Sequence, residues 1–218
     1  MQVHLDVVRD GESVTRHEKR FGISSFIYRA RRPFHPGRLW STFLTPFFLK
    51  MEHEYEEGDM EEEKAELRLG RQQEEARAKQ VARGEVLGQL LRSKGFMWLA
   101  TSHDIVGGWQ QAGNVFHLKA LTPWMGEVRE VWEGTAAAEV VLPYLLRPGG
   151  EEWEHADRRQ ELVFIGQGLR HEAIQGLLDS CLLDDREMEG GPEEWEQAMA
   201  GEDRIHLTYL NVSIKEIE

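Results

Sequence analysis

The stretch Phe21 to Trp40, FGISSFIYRARRPFHPGRLW, constrains the fold most, because a strand, a cationic break and a helix start follow one another within it. Ile23 to Ala30 is rich in β-branched and aromatic residues and reads as a strand. Arg31-Arg32-Pro33 ends it, since proline has no N–H for a sheet ladder and holds the preceding residue extended. His35-Pro36 then opens a helix. Proline is tolerated in a first turn, and Leu39, Trp40, Phe43, Leu44, Phe47 and Phe48 form one apolar stripe to bury against the strand. The resulting β–α unit is the expected seed of the core.

Beyond it, Val86 to Arg92 resumes a helical apolar spacing with Gly95 as its expected C-cap, and Phe96 to Thr101 reads as a short strand. Ser102 to Gly108, SHDIVGG, has the composition of a turn, and Trp109 to Leu121 reads as one strand broken at Ala112-Gly113-Asn114. Residues 122–157 form a long connection, with one helical candidate from Thr135 to Arg147, whose simplest role is to cover the sheet. Leu162-Val163-Phe164-Ile165 is a continuous apolar run, predicting a central strand buried on both faces. Arg170 to Leu183 is amphipathic and predicts the second main helix. The expected fold is α+β: a sheet of about four strands with two main helices on one face, in ferredoxin-like order, carrying a charged helical insertion.

Residues 51–85 differ from their surroundings, with twelve acidic residues against six basic ones, and read as the insertion. Glu52 to Glu63 holds eight of those acids and no base, which favours an extended start; the remainder suits an exposed helix. Residues 1–20 read as a lead-in, 21–185 as the domain body, and 186–218 as an acidic tail in which Arg204 to Ile217 alternates as a possible final strand.

At 218 residues the chain is long enough for one domain with insertions. No run approaches the roughly 18 apolar residues of a membrane span, and MQVHLDVVRDGES lacks a signal-peptide pattern, so a cytoplasmic protein is expected. The single cysteine, Cys181, excludes an internal disulfide and any cysteine-rich zinc site, and reads as a small buried hydrophobe. A formal net charge of −13 argues against a nucleic-acid partner, which needs a positive footprint. The local basic run Arg29, Arg31, Arg32, Arg38 is the exception, and pairing with nearby carboxylates explains it most simply.

Nine histidines invite a metal site, yet none of His17, His35, His103, His117, His155 and His171 forms an HxH or HxxxH pair on one predicted helix. His35, in the PFHP turn, is the best metal candidate, beside the simpler reading of a hydrogen-bonded structural histidine. His53 sits among carboxylates that read more simply as a solvated face. For catalysis there is no GxSxG, no HExxH and no activated cysteine, so no catalytic residue is assigned and an enzyme is not expected.

Three stretches, GISSFIYRARRPFHPGRL, LLRSKGFMWLA and DRRQELVFIG, taken in that order, resemble the signatures of the C-terminal domain of CobW-type GTPases, a family of metallochaperones and metal insertases. The stretches run from Gly22 to Gly166, and the resemblance extends over roughly Thr15 to Leu183. The resemblance marks Arg31, Arg32, Pro33, His35, Pro36, Lys94, Gly95, Asp157, Arg158, Arg159, Gln160, Glu161, Phe164 and Gly166 as signature residues of structural weight. Where the family usually has glycine before Asp-Arg-Arg, this chain has Ala156. The resemblance implies a regulatory or client-recognition domain that helps deliver zinc, cobalt or another divalent metal, partnered by a CobW-type GTPase domain or a metal-receiving client. GTP would enter only through that separate domain. The sequence contains no Gly-Lys dipeptide, hence no GxxxxGK[ST] loop, and one cysteine cannot supply the family's CxCC motif. The alternative is a free-standing protein-binding adaptor without nucleotide chemistry.

Overall fold

The computed structural model describes residues 22–48, 62–199, 205–207 and 212–213. The lead-in, His17, His53 and most of the acidic run lie outside the described residues. Strand β1 (Ile23–Ala30) leads through the Arg31-Arg32-Pro33 break into a helical run, α1, composed of Pro36–Arg38, a π-helical Leu39–Leu44 and Thr45–Phe47. Then come α2 (Glu62–Leu87), β2 (Gln89–Leu99), β3 (Ser102–Ala112) and β4 (Val115–Pro123). A 3-10 turn at Met125–Glu127, α3 (Arg129–Trp132) and α4 (Ala138–Leu145) lead to β5 (Gln160–Gln167), α5 (His171–Asp179) and α6 (Asp185–Met199).

The main sheet has five strands in the order β1-β5-β2-β3-β4, each antiparallel to its neighbours. The fold is therefore α+β, but the expected four strands are five. β5 slots between β1 and β2 as in a split βαβ unit, while β3 and β4 extend the sheet as a meander, so the order is ferredoxin-like only in that first part. The extra strand arises where Gly113 adopts φ 57 and folds Trp109 to Leu121 into the β3–β4 hairpin. SHDIVGG is strand rather than turn. Its glycines pack beneath neighbouring side chains, Gly107 under Met97 and Leu207 and Gly108 under Leu121, so composition misleads there.

The helix expected from Val86 to Arg92 is also replaced. A single helix, α2, runs to Leu87, and Gly88 ends it at φ 85, where any Cβ would overlap the Gly168 carbonyl. β2 begins at Gln89 and Gly95 lies inside it, not at a helix cap. The last turns of α2 belong to the core: Leu87 is buried, Arg83 donates to the Gly113 carbonyl at 2.7 Å, and Lys79 donates to the Phe48 carbonyl at 3.0 Å.

One face of the sheet is closed by α1 and α5. Leu39, Phe43, Leu44, Ile174 and Leu178 pack there on Tyr28, Met97, Trp109, Leu162 and Phe164 in a single apolar cluster. The opposite face behaves differently along its length. At one end Trp98, Ala100, Trp124, Leu183, Trp195 and Met199 form a second cluster. Toward the other end Val163 is only half-buried and Ile165 is exposed, so β5 is central in order yet open on one face. The continuous apolar run therefore does not mean burial on both sides.

The second cluster corrects the reading of residues 186–218 as a tail. α6, kinked at Gly191, delivers Trp195 and Met199 into it, and Ile205 and Leu207 join the first cluster. β6 (His206–Leu207) and β7 (Val212–Ser213) pair with each other instead of forming one final strand. Within 122–157 the helical candidate narrows to α4, and Trp132 and Leu145 are buried.

Candidate functional site

Most of the signature residues converge on the corner where β1 and β2 end and β5 begins, against the second cluster. The break after β1 supplies its first layer. Phe34 N–H donates to the Trp98 carbonyl at 2.9 Å and its own carbonyl accepts from Ala100 N–H at 3.1 Å, while the Pro33 carbonyl accepts from Leu183 N–H at 3.0 Å. His35 caps α1: its Nδ1 accepts from Gly37 N–H at 3.1 Å and Arg38 N–H at 3.3 Å, and Pro36 occupies the first turn. That nitrogen's lone pair is thereby committed to the helix start.

The basic run is tied down by acceptors. Arg31 donates to the carbonyls of Ala156 at 2.9 Å and Tyr144 at 3.2 Å and lies over the Trp153 ring at 4.4 Å. Arg32 pairs with Asp185 and donates to the Leu183 carbonyl. Arg38 forms a two-pronged pair with Glu187, at 2.8 and 2.6 Å, which holds that carboxyl down near 2.

Asp157 to Glu161 forms the second layer. The Asp157 carboxylate accepts from Met125 N–H at 3.0 Å and Gly126 N–H at 2.9 Å, capping the 3-10 turn. Arg158 is only 4% exposed; it donates to the His103 carbonyl at 2.8 Å and pairs with Glu127. Arg159 reaches Glu161 at 3.2 Å and lies 4.7 Å from the Phe96 and Tyr144 rings. Gln160 is fully buried. Its Oε1 accepts from Trp98 N–H at 3.0 Å, and its Nε2 donates to the carbonyls of Arg32 and Trp98, each at 2.8 Å, so one amide stitches β5, β2 and the break together.

Phe164 lies at the centre of the first cluster, and Gly95 and Gly166 allow β2 and β5 to approach closely: a Cβ at Gly95 would overlap the Glu161 carbonyl, and one at Gly166 the Gln89 carbonyl. Lys94 does not join the corner. It projects from β2 onto the exposed face, beside Val163 on β5.

A further grouping was not visible in sequence. His103 and His155, far apart in the chain, stand 5.9 Å apart by ring centroids and pack with Trp98 and Trp195. Burial, reinforced by Arg158 and then His155, pushes His103 down to about 3, so its imidazole is neutral. Burial lowers His155 as well. What they share is contact with the rings of Trp98 and Trp195. Among the described residues, no group of three or more His, Cys, Asp or Glu is placed to hold a metal ion. Cys181 is buried; burial pushes its thiol up to about 11, and Sγ donates to the Leu177 carbonyl at 3.1 Å, which makes it a poor nucleophile. The carboxylates of the corner all serve as acceptors for structural donors, so this chemistry is that of a clamp.

Residues 63–182 match the family described as the cobalamin synthesis protein CobW C-terminal domain. The chain belongs to the CobW C-terminal domain family. The clamp of Asp157 to Gln160 lies inside the matched span, whereas β1 and the Arg31-Arg32-Pro33 break precede it and share the same sheet. Among curated proteins, this CobW C-terminal domain is 29% identical over 177 residues to the zinc-regulated GTPase metalloprotein activator 1 of Dictyostelium discoideum, covering 80% of this chain. It spans 28% of that relative's length. Among solved structures it resembles the zinc-bound YjiA GTPase of E. coli, at 15% identity and a TM-score of 0.36, over 77% of this chain and 32% of that one. A triple mutant of YjiA, also zinc-bound, gives the same TM-score over 74% of this chain and 30% of that one.

Proposed function

We propose that this chain is the regulatory or client-recognition domain of a CobW-type GTP-dependent metallochaperone, helping to deliver a divalent metal such as zinc or cobalt to a receiving protein. The family match over 63–182 carries this reading, and the similarity to a relative named as a zinc-regulated GTPase metalloprotein activator supports zinc as the metal. Nucleotide chemistry belongs to a separate GTPase domain in this reading, because this sequence has no Gly-Lys with which to build a phosphate-binding loop. The metal is cargo, and the work is done in the cytoplasm. Residues 21–185, closed at one end by α6, form the recognition body, with the charged run of 51–85 inserted ahead of the core-packed last turns of α2 and 122–157 buttressing one end of the sheet. The signature residues serve as scaffold: Gln160, Arg158 and Asp157 spend their polar atoms on backbone groups and on Glu127, fixing the corner rather than reacting.

The test is reconstitution. A CobW-type GTPase domain loaded with zinc is mixed with the chain, and GTP turnover and zinc transfer to an apo client are followed. A change of several-fold in either rate, with a saturable complex by calorimetry, is expected. Unchanged rates with no complex would sink the reading, and a complex formed only with other proteins would favour the free-standing adaptor.

A further inference from the structure

The far face of the sheet is built from rows of cross-strand neighbours that reach across all five strands. One row is Ile27, Val163, Lys94, Gln110 and His117; the next is Ser25, Ile165, Arg92, Ala112 and Val115. A third, Arg29, Glu161, Phe96, Gly108 and Lys119, borders the end covered by the second cluster. Ile165, Val115 and Leu121 are exposed large hydrophobics, and Arg29, Arg92, Lys94 and Lys119 are exposed cations among them.

The charge of this face is opposite to that of the molecule. In a chain of formal net charge −13, these rows hold four Lys or Arg and one acid, Glu161, which Arg159 and Arg29 already hold. Elsewhere Arg32, Arg38, Arg129 and Arg158 are each paired with a carboxylate, whereas Arg92, Lys94 and Lys119 make no ion pair among the described residues. Arg92 and Lys94 stand two residues apart on β2, roughly 7 Å, which is also the repeat of alternate side chains in an extended peptide. On β5, Ile165 and Val163 lie directly beside them, about 5 Å away.

We infer that this open face is a docking surface for an acidic polypeptide segment of a partner protein, its carboxylates meeting Arg92, Lys94 and Lys119 and its aliphatic side chains lying on Ile27, Val163 and Ile165. The inference rests on the reading of this domain as a recognition module and names the chemistry of what it recognises. A short acidic segment suits the face better than a nucleic acid does. The cations are few and interleaved with aliphatic side chains, and the surrounding negative charge repels a long polyanion more than a peptide that also gains apolar contact.

The test uses the full chain and a fluorescein-labelled synthetic peptide with glutamates and isoleucines at every second position and serines between them, so that both project from one face, titrated by anisotropy at low and physiological ionic strength. A labelled single-stranded oligonucleotide runs in parallel. Wild type should bind the peptide saturably and more weakly at the higher salt. The double variant Arg92→Glu/Lys94→Glu should lose on the order of tenfold or more in affinity through like-charge repulsion, whereas Arg77→Glu on the exposed side of α2 should bind as wild type does. Ile165→Ser should weaken binding while leaving its salt dependence unchanged. Circular dichroism melts confirm folding, and Lys119→Glu provides a second charge reversal if the double variant melts early. Peptide binding that is absent, or equal in the double variant, overturns the proposal, as does tighter binding of the oligonucleotide. Failure here with GTPase coupling intact removes this surface alone; peptide binding without such coupling removes the metallochaperone reading and leaves the surface.

Discussion

The two faces of one five-stranded sheet are held by different physics. Under α1 and α5, stability comes mainly from area: Phe43, Trp109, Phe164, Leu162 and Ile174 share one apolar cluster, and the buried Trp109 Nε1 is satisfied by Ser93 Oγ at 2.8 Å. On the other side one end is closed by Trp98, Trp124 and Trp195, with Arg158 and Asp157 clamping the loops beside them, and an open end carries cations among exposed aliphatics. Adjacent residues of β5 therefore answer to different demands, Phe164 to the core and Ile165 to whatever meets the surface. The difference teaches that a central position in strand order does not fix burial. What fixes it is whether helices are available for both faces, and here α1 and α5 both serve one.

The largest effect should separate those neighbours on β5. Phe164→Ala removes a fully buried ring and should cost about 3–5 kcal/mol through lost burial plus a residual cavity. Ile165→Ala, 36% exposed on the opposite face, should cost about 1 kcal/mol or less. Urea midpoints of the two variants measure the contrast, and equal losses would show that the second face is covered after all.

Next comes the clamp. Arg158→Ala should cost about 2–3 kcal/mol, because the buried guanidinium serves the His103 carbonyl and Glu127 together, and its removal leaves both without their donor. The partial exposure of Glu127 keeps the figure below that of a fully buried pair. Arg159→Ala should cost less, since Glu161 retains water and Arg29 within 3.9 Å. A denaturant series reversing that order would place the clamp's weight on Arg159.

These regions were unequally legible in sequence. β1, the Arg31-Arg32-Pro33 break and α1 follow from local chemistry, because proline geometry and an apolar stripe need no distant partner. β5 was legible as a strand but not as half-open, since Leu162-Val163-Phe164-Ile165 is apolar throughout and covering helices leave no mark on a strand's own residues. α6 was missed because Gly190-Gly191-Pro192 and its acids resemble a tail, whereas Trp195 and Met199 recover their meaning only against Trp98. Gly107 and Gly108 signalled a turn, while the structure uses them for clearance under Met97 and Leu121. The clamp was marked as a set of signature residues, but its partners, the carbonyls of Arg32, Trp98 and His103, are backbone atoms that every residue has. The meeting of His103 and His155 depends on the long connection's path, which periodicity could not provide.

The closed end of the second face should also show in its pH dependence. His103 is held near 3, below its ordinary 6.5, by burial and then by Arg158 and His155. The unfolded chain therefore binds its proton first. The stability due to neutral His103 is complete above about pH 6.5 and is lost progressively as pH falls toward 3. Discounted for its partial exposure, the loss should be about 1 kcal/mol near pH 5.5. His103→Asn should flatten this part of the profile relative to wild type when urea midpoints are measured between about pH 7 and 5. Parallel profiles would mean that the imidazole is wetter than its packing against Trp98 and Trp195 implies.

The smallest effect tests whether the clamp is strained by its own sequence. Ala156, immediately before Asp157, has φ 53 and is the one non-glycine residue in the left-handed region among those described. That geometry points the Ala156 carbonyl at Arg31 and brings Asp157 to the amides of Met125 and Gly126, so the corner needs the turn even though alanine disfavours it. A left-handed alanine costs roughly 1–2 kcal/mol, and glycine gives back part of the difference through its freer unfolded chain. Its methyl lies against Gly126, which leaves room for it, since a Cβ there would come within 2.6 Å. Ala156→Gly should therefore stabilise by about 0.5–1 kcal/mol, with the Phe164→Ala and Ile165→Ala costs unchanged when combined with it, since those side chains pack away from the turn. A destabilised Ala156→Gly would show that the methyl packs usefully against the 3-10 turn and that the clamp, like the helical face, draws on apolar contact.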